Sequence, residues 1–386
     1  MSMKKFILFL LFAFPLLLHA QQPKAVSPHT MAKRLGFGWN LGNHFDSHAG
    51  GRPVQSYWDR AVPTEQLYRS LYEAGVRTVR IPITWGPYAA TAPDYAIDPR
   101  FMAEVEQNVD WAERAHLNVI INLHHDEYWL DVKGAAADST LNDAIRQRIA
   151  AIWRQIAEHF ADRGDFLIFE SFNEVQDGKW GWGDNRTDGG RQYAVLNGWN
   201  QLFVDVVRST GGHNPQRWLA VPGYASNPEL TVEHLVMPKD PTKGRIIVPV
   251  HFYAPTDFSL ENKTELWGVD VAEGDGRAKE DVAKVEQSLL SVRKRFVDAG
   301  IPVYVGEMGC SRHATPEGEA SRARFLEVVC RTAFRYDMPP VIWDNNITHA
   351  GRESHGYFDH TDGHVVPASA DVLRLMIGLS GVKVKN

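Results

Sequence analysis

Eight short apolar runs recur along this 386-residue chain, and stretches of helical period separate most of them, which leaves few folds open. The runs lie at residues 35–41, 76–81, 118–123, 166–171, 218–221, 246–252, 302–306 and 340–343. Helical patterns lie between them at 64–74, 100–115, 141–161, 190–209, 281–299 and 319–336. The strings VIINL, FLIFES, IIVPV and PVYVG read as apolar throughout, the pattern of strands buried on both faces of a parallel sheet. Thr64 after Pro63 reads as an N-cap, and Gly75 and Gly300 stand where helix-ending glycines belong. Eight strands with helical crossovers predict a single-domain α/β protein, a (β/α)8 TIM barrel. A doubly wound open sheet would carry a glycine-rich phosphate loop after its first strand, and none is found there.

The N-terminus follows another rule. Lys4 and Lys5 precede an apolar stretch at residues 6–18, then Ala20 and the polar Gln21 and Gln22, which is the layout of a secretory signal peptide. The expected division is residues 1–20 as a cleaved leader and 21–386 as the folded domain, in a secreted or periplasmic protein. The apolar stretch is shorter than the roughly 20 residues of a spanning helix, and no cysteine near the cleavage region offers a lipid attachment point. Only Cys310 and Cys330 are present, which excludes a disulfide framework and a four-cysteine zinc site; two buried thiols are the simpler reading, with one disulfide left open. Lys+Arg 41 against Asp+Glu 47, without a basic block, disfavours nucleic acid or an anionic membrane as partner. A monomer is expected.

On a TIM barrel the active face lies at the C-terminal strand ends, so the residues after each run matter most. There stand Trp39, Asn40, Asn43 and His44 for the first strand, and Arg80 and Trp85 for the second. The third offers His124, His125 and Asp126, the fourth Asn173 and Glu174, and the sixth His251 and Tyr253. The seventh ends in Glu307 and the eighth in Trp343, Asp344, Asn345 and Asn346. Glu174 and Glu307, from opposite walls, could stand about 5 Å apart, the spacing of acid and nucleophile in retaining glycoside hydrolysis. Arg80 near Glu307 would keep it charged, and that charge would hold a proton on Glu174. Tyr253 would donate to the nucleophile and Asn173 to a sugar hydroxyl.

These residues fall in strings that carry a resemblance. Gly38-Trp39-Asn40-Leu41-Gly42-Asn43, Thr78-Val79-Arg80-Ile81-Pro82, Asn122-Leu123-His124-His125, Phe172-Asn173-Glu174, His251-Phe252-Tyr253, Val305-Gly306-Glu307 and Ile342-Trp343-Asp344 resemble, in order, the signature of glycoside hydrolase family 5, bacterial endoglucanase-like branch. The resemblance implies cofactor-free retaining cleavage of a β-linked glycan, with Glu174 as acid/base and Glu307 as nucleophile. It implies that Arg80, His124, Asn173, His251, Tyr253 and Trp343 line the cleavage subsite. Asn43 and His125 complete the expected substrate-binding set. The chain departs from the family pattern at His44, Phe45, Asp46 and His48, a region that would face sugars on the non-reducing side of the cut. The expected activity is an endo-β-1,4-glucanase acting on a soluble or amorphous glucan, with xyloglucan, mannan or xylan as alternative backbones.

Two other readings compete. His124, His125, His251 and Asp344 at strand ends invite a metal-dependent hydrolase, but neighbouring strand residues point to opposite faces, so His124 and His125 should not share an ion; no metal is expected. A non-catalytic glycan binder would need only aromatic platforms, for which Trp343 is the first candidate and Trp85 and Trp180 the next. Retention of both carboxylates favours the enzyme. The loop around Trp180 to Asn185 has no assigned role.

Overall fold

A computed structural model describes residues 26–381; the expected leader at 1–20 lies outside them. All eight runs are strands: β1 (Gly38–Asn40), β2 (Thr78–Ile81), β3 (Asn118–Asn122), β4 (Leu167–Glu170), β5 (Leu219–Ala220), β6 (Ile246–Phe252), β7 (Val303–Met308) and β8 (Pro340–Ile342). Each pairs in parallel with the next, and β8 returns to β1, closing the barrel. Helix α1 (Pro28–Leu35) precedes β1. The crossovers are α2 (Glu65–Ala74), α3 (Pro99–Arg114), α4 (Val132–Ala137) with α5 (Ser139–His159), α6 (Arg191–Ser209), α7 (Pro228–His234), α8 (Thr256–Ser259) with α9 (Arg277–Arg295), and α10 (Pro316–Arg335). A last helix, α11 (Ala370–Gly378), follows β8.

The strands divide their residues by a period of two. Trp39, Val79, Ile121 and Phe169 join the core between sheet and helices. Their neighbours face the barrel axis, where Ile120, Ile168, Ala220, Ile247, Tyr304 and Val341 make a separate apolar layer, sealed from below by Met31 and Leu35 of α1. Two residues further along the same inward face stand Asn40, Arg80, Asn122 and Glu170, all buried. The interior is therefore apolar at its base and polar at its mouth, which is what a strand-end site requires.

Gly75 and Gly300 adopt the left-handed conformation expected of them. Thr64 stands at the N-cap position of α2, but its hydroxyl donates to the Thr361 carbonyl and ties α2 to the C-terminal segment instead of capping the helix. Cys310 and Cys330 are free and buried, with burial pushing both thiols up. No helix among the described residues is long and apolar enough to cross a membrane.

Candidate active site

Arg80 is the centre of the polar layer. It is fully buried, and each of its three guanidinium nitrogens has a use. Nε and Nη2 grip Glu170 at 3.1 and 2.7 Å, Nη2 also donates to Asn173 Oδ1 at 2.7 Å, and Nη1 donates to Asn40 Oδ1 at 3.0 Å and Glu307 Oε1 at 2.8 Å. Burial alone would pull the guanidinium down, but Glu170 and Glu307 outweigh it and hold it above its ordinary value. Glu170 is held further by Asn122 Nδ2 at 2.9 Å and by the Tyr304 hydroxyl. Burial would raise its carboxyl, yet Arg80 and Tyr304 bring it below the usual range.

Glu307 reaches this layer through an irregularity. Val303 and Val305 face the helices, so a regular strand would send Glu307 the same way. The β6–β7 register instead slips: Val250 pairs with Val305, and His251 with Glu307. Gly306 is the extra residue, a bulge that re-aims the next side chain into the mouth. There Arg80 donates to Glu307 Oε1, and the Tyr253 hydroxyl donates to Oε2 at 3.1 Å. His124 Nε2 lies 3.9 Å from Oε1.

Glu174 stands opposite, beyond β4. Its Oε1 is 2.5 Å from His251 Nδ1, and His251 in turn is 3.7 Å from Glu307 Oε2. One oxygen of Glu174 and one of Glu307 lie within 4.8 Å of each other, close enough for a retaining pair and too close for an inverting one. Burial pushes the Glu174 carboxyl up to about 7, with Glu127 and Glu170 adding and His125 and Arg80 opposing. Burial also takes His251 down to about 4. A neutral His251 can therefore accept a hydrogen bond from an un-ionised Glu174. The proton on Glu174 is held first by desolvation, whereas sequence reasoning attributed it to the charge of Glu307.

The remaining expected residues divide. Asn173 Oδ1 accepts from Arg80, and its amide nitrogen has no partner among the described residues. Asn43 contributes backbone: at φ 61°, its N–H bonds Asp46 Oδ2 and its carbonyl accepts from Ser47 Oγ and Asp59 N. Trp343 stacks on His124, centroids 5.7 Å apart and planes within 5°. It also crosses so close to Gly42 that a Cβ there would meet its ring at 2.7 Å and the Asp344 carbonyl at 2.6 Å. Trp85 is a correction: it is wholly buried, bonds the Asn122 carbonyl through Nε1 and packs on Phe101, so it is core and not a platform. Trp180 and Trp182 are exposed in the β4 loop, 59% and 74%.

His124 and His125 also differ from expectation. Both lie past the end of β3, where strand alternation no longer applies, and their rings are 4.4 Å apart. With Asp46 they form one of two groups close enough to hold a cation among the described residues, the other being Glu174, His251 and Glu307. His125 lies between Asp46 at 3.9 Å and Glu127 at 3.6 Å; burial opposes its charge, but the carboxylates raise it to about 9. Flanked by these two carboxylates, His125 pairs with both Asp46 and Glu127.

Four participants escaped sequence reasoning. Glu170 lies inside the run FLIFES, read as apolar; its inward position two after Ile168 was the available signal. Asn122 and Tyr304 are inward on the same principle. Trp58 is 45% exposed, 6.0 Å from the His125 ring and 5.7 Å from His48, in a loop without periodicity.

A sequence model described as cellulase, glycosyl hydrolase family 5, matches residues 41–349. Endoglucanase A of Paenibacillus barcinonensis is 32% identical over 349 residues, covering 84% of each chain. A xyloglucan-specific endo-β-1,4-glucanase of Bacteroides ovatus is 33% identical, covering 89% of this chain and 68% of its own. Among solved structures, a broad-specificity GH5-4 endoglucanase from Bacteroides salanitronis superposes with a TM-score of 0.86 at 46% identity, covering 92% of this chain and 95% of that one.

Proposed function

The chain belongs to glycosyl hydrolase family 5, and from that premise we propose that it is a retaining endo-β-1,4-glucanase. The observation that carries the mechanism is the close approach of Glu174 and Glu307 in unlike surroundings, one beside a neutral imidazole and the other beside a guanidinium. Glu307, its oxygens oriented by Arg80 and Tyr253, attacks the anomeric carbon. Glu174 protonates the leaving oxygen, and then, as carboxylate, takes a proton from the water that releases the glycosyl-enzyme. His124 and Trp343 form one wall of the cleavage subsite, and the free amide of Asn173 faces a sugar hydroxyl. His125, with its charge, supports His124 from the side.

Two consequences follow from these environments. The first step needs Glu174 protonated, and its carboxyl is raised to about 7, so the acid form prevails below that value and is lost above it. kcat/KM should fall about tenfold per pH unit beyond the alkaline limb, which a profile from pH 4 to 9 would locate. A limb near pH 4.5 would mean that Glu174 is not the acid. Separately, Gly42→Ala should force Trp343 away from His124, since neither the ring nor the Asp344 carbonyl can yield cheaply. KM for glucan should rise by roughly tenfold, with kcat less affected.

The backbone is tested directly. Viscosity loss and reducing-sugar release would be followed on carboxymethylcellulose, barley β-glucan, xyloglucan, xylan and glucomannan, with and without a chelator. Rapid viscosity loss on a β-1,4-glucan, indifferent to chelator, supports the proposal; chelator-sensitive release overturns the metal-free mechanism. Xyloglucan is the second reading, favoured by the Bacteroides ovatus relative and by the broad specificity named for the 46% identical one. Export through a leader at residues 1–20 and action as a monomer belong to the same proposal, checked by the N-terminus of the exported protein and by light scattering.

A further inference from the structure

Behind the cleft, where the mechanism has no use for them, four side chains form a buried line. His44 Nδ1 is 3.1 Å from Asp59 Oδ1, His360 Nδ1 is 2.9 Å from Asp59 Oδ2, and His360 Nε2 is 3.2 Å from Asp344 Oδ1. Their side chains are 0% exposed, apart from His44 at 3%. Asp344 also accepts from Trp39 Nε1 at 2.8 Å and from the backbone N–H groups of Tyr357 and Phe358. The line joins loops that begin at β1 and β8.

The neighbours along the chain give it meaning. Asp59 follows Trp58, the exposed ring that sequence reasoning missed; Asp344 follows Trp343, the ring over the cleavage subsite. At the front the same two rings bound a row of contacts: Trp343 on His124 at 5.7 Å, His124 on His125 at 4.4 Å, His125 on Trp58 at 6.0 Å. Front row and rear clamp thus share both ends. We propose that His360, hydrogen-bonded to Asp59 and in ion-pair contact with Asp344, is a positioning residue that fixes the distance between Trp58 and Trp343, so that the two rings bind one glucan chain together. This rests on the endoglucanase reading and adds a residue that touches no substrate.

The groups facing His360 are Asp59 and His44 from the β1 loop, Asp344 from the β8 end, and Trp39 of β1 at 5.0 Å edge-on. Burial would keep the imidazole neutral, but Asp344 and Asp59 outweigh it and raise it to about 9. His44 is lowered, chiefly by burial, and stays neutral. Asp59, despite burial, is held below the usual carboxylate range by the two histidines. Since His360 is raised in the fold, the clamp is complete below the ordinary histidine value and is lost as pH rises through about 9.

The test uses the Glu307→Gln protein, which should bind without turnover, with cellohexaose as probe and calorimetric Kd from pH 6 to 10. With His360 present, Kd should rise by about tenfold on passing pH 9, a size typical of coupled sites. Adding His360→Gln should give the weaker Kd already at pH 7 and remove the rise. Adding Asp59→Asn should shift the rise to lower pH, because one of the carboxylates holding the proton is gone. A flat Kd with His360 present, or a midpoint unmoved by Asp59→Asn as titration of His125 would give, overturns the proposal. Should His360→Gln fail to fold, the unaltered clamp and the Asp59→Asn variant still decide. Absence of binding at pH 7 with His360 intact overturns the endoglucanase reading and the clamp with it, whereas equal Kd in all three proteins overturns the clamp alone.

Discussion

Glu307→Gln is expected to lose turnover by four orders of magnitude or more, on the order seen when a covalent nucleophile is removed, while keeping its fold and its affinity for glucan. The amide is nearly isosteric with the carboxylate, so the cavity is preserved. Tyr253 can still donate to the amide oxygen, but the amide nitrogen is a donor and cannot accept from Arg80, so the substituted side chain must present its oxygen to one partner only. The attack on the anomeric carbon is lost outright, and the proton held by Glu174 then has no partner step to serve. Rates on barley β-glucan, together with Kd from calorimetry, check both halves. Hydrolysis within tenfold of the parent would remove Glu307 from the role assigned to it.

The second large effect is on stability. Arg80→Ala should destabilise the fold by about 3–5 kcal/mol, because it strands Glu170 and Glu307 in a buried layer without their cation. Removing one partner of a buried pair costs far more than the pair contributes, so Arg80→Met with Glu170→Gln should recover part of the loss. Arg80→Lys should fall between: three donors on a flexible stem cannot serve Glu170, Glu307, Asn40 and Asn173 at once. Denaturant unfolding of the set is the measurement. A loss under about 1 kcal/mol for Arg80→Ala would mean that the two carboxylates take up protons and need no cation.

The pattern of legibility follows from what period and position can encode. Glu174, Arg80, His251 and Tyr253 were readable because each stands at or near the end of an apolar run, and the barrel brings run ends together. Glu170 was not, since a carboxylate inside FLIFES looks like an interruption until the inward face is known to be polar above Ile168. Nor could sequence show that Glu307 depends on a bulge: Gly306 marks it only when the pairing with Val250 and His251 is known. Trp85 misled because its position after β2 suits a cleft residue, while Asp126 accepts from its backbone N–H and its ring turns into the core. The clamp at His360 joins residues from His44 to His360, and no spacing rule connects positions so far apart.

Closure of the sheet sets a clock on synthesis. Gly38 pairs with Val341 and Trp39 with Ile342, so the final seam joins segments about 300 residues apart. At roughly 5–20 residues per second, the first strand waits on the order of 15 to 60 s for its partner to leave the ribosome. The entropy cost of closing so large a loop grows only slowly with its length, since each doubling adds only about 0.6 kcal/mol. The exposure is the greater burden: throughout that interval β1 has an unpaired edge, and the polar layer around Arg80 lacks the Glu307 that completes it until β7 is made. The chain therefore stays open to mispairing along β1 until β8 docks on it, whichever side of the membrane that docking takes place on.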